Sequence, residues 1–167
     1  MIATLPAPFV QPDIRPLPSP WWRPSYVLAE TYVAEWTAQD GRRMRATAPQ
    51  GLRLDGSTEW LLTAFLGLLP LGGLIALLFR LGPDGSHRGG VVIHDWLYGR
   101  GGAVPYEVRV GREWHTMRDG LTRAEADWAM RALSIDGGMP APLAIPRWLG
   151  VRMLGRTWWR SREKDTA

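Results

Sequence analysis

The sequence predicts a small α+β domain, with one or two β-hairpins packed beside about three helices and an extended N-terminal arm. Three observations carry this reading. Segments rich in β-branched and aromatic residues come in pairs around turn signals. Segments with apolar residues at helical spacing carry start and stop signals. Seven prolines fall within residues 1–24, where no helix can form. A length of 167 residues fits one domain with tails: a proline-rich arm at 1–24, the domain at 25–159 and a basic tail at 160–167.

The arm reads as polyproline-like, closing on Trp21 and Trp22 as anchors. Alone it is a mobile leader; in an assembly it lies along a neighbour at low ordering cost. The first hairpin spans 25–48, with Tyr26–Thr37 going out, Asp40-Gly41 turning and Arg43–Thr47 returning. A short strand follows at Leu52–Leu54. Residues 60–79 carry no charge over 20 positions, the length of a bilayer-spanning helix. Pro70, Gly72 and Gly73 interrupt the run. It therefore also reads as two apolar pieces folded over the core, against another subunit or onto a membrane surface.

Gly82 to Gly90 is a loop by composition, and residues 90–99 read as a helix. A second hairpin occupies 104–118, with strands at Tyr106–Val110 and Trp114–Met117 around a turn at Gly111-Arg112. Thr122 with Glu125 three residues later is a capping box. The helix it opens has an apolar stripe of Ala126, Ala129, Met130 and Leu133 and stops at Asp136-Gly137-Gly138. Pro146 reads as the first-turn residue of a last helix ending at Leu154.

Composition bounds the function. An apolar fraction of 46% suffices for a core, and ten Trp suggest rings at interfaces as well as inside. There is no Cys, which excludes disulfides and thiolate metal sites, and His87, His94 and His115 are too scattered for a zinc cluster. The N-terminus lacks the pattern of a secretory signal. The formal charge is +4. Arg147, Arg152, Arg156, Arg160, Arg162 and Lys164 crowd the C-terminal end among Trp148, Trp158 and Trp159. That cluster suits an anionic partner, or is simply a solvated helix end. Nothing matches a zinc finger or an aromatic RNA-binding motif, so nucleic acid is not the expected partner.

The candidate site is His94-Asp95-Trp96-Leu97-Tyr98 with Thr122-Arg123-Ala124-Glu125-Ala126-Asp127. On a helix, Tyr98 falls one turn after His94 and on the same face. A facing helix that carries Asp127 can touch both. This supplies a base (His94), groups that orient it (Tyr98, Asp127) and a carboxylate for a cation (Asp95). The bland alternative is that the His-Asp pair caps backbone groups and pairs with Arg.

These blocks, with Asp55-Gly56-Ser57 upstream and Pro146-Arg147-Trp148, Val151-Arg152 and Gly155 downstream, resemble an uncharacterised family of small phage and prophage proteins. The resemblance covers roughly residues 48–159. It implies a virion-associated protein of the tail or tail tip, in an oligomeric assembly, contacting other tail proteins through residues 1–24 and 60–79. The same two blocks resemble the core of phospholipase A-two enzymes, especially the compact form on some viral capsids. That resemblance implies that His94 activates water, Tyr98 and Asp127 fix its imidazole, and Asp95 binds calcium with loop carbonyls around Gly82 and Gly85. Three functions follow as expectations: a structural adaptor, a calcium-dependent lipid hydrolase of cell entry or lysis, and a small protein anchored in a membrane through 60–79.

Overall fold

A computed structural model describes residues 10–19, 25–54, 88–157 and 159. The chain forms a small α+β domain of two antiparallel sheets and three helices. One sheet joins β1 (Ile14–Leu17), β2 (Ser25–Leu28) and β5 (Arg53–Leu54) in the order β1-β2-β5. The other joins β3 (Tyr32–Thr37), β4 (Arg43–Ala48), β6 (Tyr106–Val110) and β7 (Glu113–Met117) in that order.

Both expected hairpins form. In the first, Trp36 pairs with Met44 and Thr37 with Arg43 across the turn at Asp40-Gly41. In the second, Val110 pairs with Glu113 around Gly111, whose φ of 63° suits glycine. The expected single strand Tyr26–Thr37 is two strands that belong to different sheets. The reason it reads as one is phase: Tyr26, Leu28, Tyr32, Ala34 and Trp36 keep the same two-residue alternation across the break at Ala29-Glu30-Thr31. Part of the proline arm also belongs to the domain. Ile14–Leu17 pairs with Ser25–Leu28 of its own chain, with Ile14 opposite Leu28. An edge strand accepts Pro16, which has no amide to donate to the ladder.

The helices are α1 (Arg88–Gly99), α2 (Arg123–Asp136) and α3 (Ala141–Leu154), followed by a 3₁₀ turn at Gly155–Thr157. Helix α2 starts with the expected capping box. Thr122 Oγ1 accepts from the Glu125 amide, and Glu125 accepts from the Thr122 amide at 2.8 Å. Helix α3 begins five residues earlier than the sequence reading places it, at Ala141, and Pro146 lies inside it. Pro146 withholds the amide that the Pro142 carbonyl would accept. Both prolines are exposed, so that carbonyl lies on the solvent side, where water can partner it.

Helices α1 and α2 lie against each other and against the inner face of the four-stranded sheet, burying Trp36, Met44, Ile93, Leu97, Met130 and Leu133 almost completely. Their approach is close at Gly90, where an added Cβ would lie 2.6 Å from the Met130 carbonyl. On the solvent face, Arg45 of β4 donates two bonds, 2.7 and 2.8 Å, to Glu107 of β6 and stacks 4.5 Å over the Trp114 ring. Among the described residues no helix is long and apolar enough to cross a membrane. The apolar run at 60–79, the loop with Gly82 and Gly85, Trp21, Trp22 and the tail at 160–167 lie outside the described residues.

Candidate functional site

Helix α1 is apolar on nearly every side and buried from Gly89 to Tyr98 except at Asp95. Its pitch sets His94 and Tyr98 on one face, with ring centroids 4.0 Å apart. That face meets α2, where Asp127 belongs to the buried stripe with Ala126 and Met130. The expected meeting of two helices around these side chains is what the structure has. Asp127 lies within the buried face: it is 0% exposed, and His94 is 1% exposed.

Each oxygen of Asp127 is engaged. The Tyr98 phenol donates to Oδ1 at 2.5 Å. His94 Nε2 lies 3.4 Å from the same oxygen, close enough for charge attraction but poorly aligned for a hydrogen bond. Arg152 of α3 donates from Nη1 to Oδ2 at 3.0 Å. The other imidazole nitrogen, Nδ1, is 3.4 Å from Asp95 Oδ1. A buried acid thus joins three helices, with a guanidinium on one side and an imidazole and a phenol on the other.

The charges settle accordingly. Burial opposes a charged His94, yet Asp127 and Asp95 outweigh it and hold the imidazole above its ordinary range. Burial pushes Asp127 up, but His94, Tyr98 and Arg152 together keep it below the usual carboxylate range. Burial and then the Asp127 carboxylate raise the Tyr98 phenol. The consistent state is an imidazolium and a guanidinium flanking a carboxylate, with the phenol neutral.

Arg152 is the member that sequence reasoning missed as a site residue. In the sequence it stands among cations that suit an external partner, whereas its guanidinium reaches Asp127. The only hint was its place in the block Val151-Arg152 with Gly155. Gly155 has a related role: a Cβ there would lie 2.6 Å from the Tyr98 phenol oxygen. Trp159 closes over Tyr98 edge-on at a centroid distance of 5.0 Å. Arg123 ties the assembly to α3 through the Arg152 carbonyl at 3.2 Å.

Access is narrow. Asp95 lines a cavity of about 10 Å³ with Ile14, Leu54 and Val91, space for about one water molecule. A larger groove of about 740 Å³, lined by Arg42, Tyr106, Asp119, Arg123, Glu125 and Trp159, takes no lining from His94, Tyr98 or Asp127. Calcium wants about six to eight oxygens. At this place the described residues offer the Asp95 carboxylate, and among them no group of three or more His, Cys, Asp or Glu could hold a metal. The loop expected to add Gly82 and Gly85 carbonyls lies outside them. No protein-family model, curated protein or solved structure matches the chain.

Proposed function

We propose that the chain is a non-catalytic structural adaptor of a phage virion, set in the tail or its tip, and that the His94–Asp127 assembly serves to lock α1, α2 and α3 together. One observation supports the locking role above the rest. Both imidazole nitrogens face carboxylates inside a closed core, and that setting favours the protonated ring. A base needs a free lone pair and a path for water; an imidazolium between two acids offers neither. The virion assignment rests on the resemblance to small phage proteins. In it, residues 1–24 and 60–79 meet neighbouring tail proteins in an oligomeric assembly. Mass spectrometry of particles purified from a host that carries the gene tests it: the chain should appear in fixed proportion to tail components. Particles without it contradict the assignment.

A second reading has a specific observation behind it. The imidazole, the phenol and the Asp127 carboxylate meet across two helices in the arrangement that the phospholipase resemblance implies. In that reading the core opens at a lipid surface, His94 loses its proton to become the base, and Asp95 holds calcium. Phospholipid hydrolysis that requires calcium and disappears in His94→Gln would support the hydrolase and overturn the locking role. The locking role predicts no such activity.

A further inference from the structure

Helix α3 buries Ala144 and Val151 on its inner side, yet its outer side is apolar too. Its described exposed positions are Ala141, Pro142, Ile145, Pro146, Leu149 and Met153, all apolar. Its two cations turn inward: Arg147 is 3% exposed, and Arg152 reaches Asp127. Ile145, Leu149 and Met153 stand four residues apart in one row and are 39%, 46% and 79% exposed. An aqueous helix normally turns polar residues outward, so a contiguous apolar row there is a candidate contact surface.

Charge identifies the occupant. Residues 137–162 contain no Asp or Glu, and of the Arg described there Arg147 and Arg152 turn inward while Arg156 stays outside. Arg156, one turn beyond Met153, is exposed, and among the described residues it has no ion-pair partner. An apolar row that ends in unopposed positive charge is the pattern of a helix lying in the plane of an anionic membrane surface. Area argues against a second copy. A helix of 14 residues is about 21 Å long and about 10 Å wide. One face therefore offers roughly 200 Å², against the roughly 800 Å² that each partner contributes to a stable interface. A bilayer needs no matching partner surface and adds headgroup attraction.

We propose that the outward face of α3, with Arg156 at its end, docks on an anionic lipid bilayer. The lipid is a docking surface in this proposal, and no chemistry at His94 is involved. Vesicle co-flotation of the full chain tests it, with phosphatidylglycerol mixed into phosphatidylcholine and with phosphatidylcholine alone. Binding should favour the anionic vesicles and weaken as salt rises. The double variant Leu149→Ser with Met153→Ser should bind about tenfold or more weakly, since it removes buried apolar area. Arg156→Gln should weaken binding several-fold on anionic vesicles only. Both variants alter exposed residues, so an unchanged Tm confirms that they fold. The chain has no Cys, so a spin label on Met153→Cys reports immersion directly. The proposal fails if the double variant floats as well as the parent, if the parent does not bind, or if the label stays in water. It also fails if sedimentation shows a dimer that the double variant abolishes while vesicles are ignored.

Discussion

Helices α2 and α3 are neighbours of equal length with opposite distributions of polarity. Helix α2 follows the rule for a surface helix: a capped start, charged residues at exposed or half-exposed positions, and an apolar stripe inward. Its one buried charge is Asp127, beside a buried Ser134 that donates to the Met130 carbonyl. Helix α3 breaks the rule at more places: Arg147 and Arg152 turn inward beside Ala144 and Val151, and Ile145, Leu149 and Met153 face outward. The two exceptions meet, because the acid buried by α2 is neutralised by the cation that α3 turns in. A buried charge without a partner would cost several kcal/mol. Asp127 is thus tolerable because Arg152 of α3 joins His94 and Tyr98 around it, while the outer face of α3 is left apolar.

The largest break in this comparison is Asp127→Ala. It strands the His94 and Arg152 charges, and stability should fall by about 3–5 kcal/mol, read as a Tm drop of roughly 10 °C. A change below about 1 kcal/mol would mean that the acid is not holding the helices together. Tyr98→Phe removes one donor and keeps the ring; a loss of about 1.5–3 kcal/mol is expected for a hydrogen bond to a charged group, measured by urea unfolding. Gly155→Ala forces a methyl toward a phenol already fixed by Asp127, at a cost of about 1–3 kcal/mol. Combined with Tyr98→Phe, part of that cost should be relieved. Thr122→Ala removes half of the capping box of α2 and should cost about 1 kcal/mol. At the low end, Leu149→Ser on the outer face of α3 should change stability by no more than about 0.5 kcal/mol. A large loss there would mean that the outer face of α3 is already covered within the chain.

Much of the α1–α2 half was legible in the sequence. His94 and Tyr98 are spaced by one turn, Thr122 and Glu125 announce a helix start, and Ala126, Met130 and Leu133 mark the face that brings Asp127 inward. These are local signals, and local periodicity fixes which side chains share a face. The α3 half was not legible. Arg152 lies 25 residues from Asp127, and nothing local separates one inward arginine from the cations around it. Pro146 looks like a first-turn residue, since interior prolines are rare, but an exposed carbonyl makes it tolerable here. The break between β2 and β3 hid for a different reason: the alternation keeps its phase across it.

The assembly also sets a pH window. His94 is raised above its ordinary 6.5, so its contribution is complete below that value and is lost as pH climbs through the folded pKa. Asp127 is lowered from 3.8, so its contribution is present above that value and is lost as pH falls through its folded pKa. Stability from the network should be greatest between these limits. In His94→Gln the loss on the alkaline side should disappear from a plot of Tm against pH.

The protonation of His94 in the folded chain can be read directly from the nitrogen-15 chemical shifts of its ring during a pH titration. The locked arrangement predicts an imidazolium at pH values well above 6.5, with both ring N–H groups protected from exchange. A neutral ring near pH 6.5, with one nitrogen bare, would contradict the lock and leave the imidazole poised as a base.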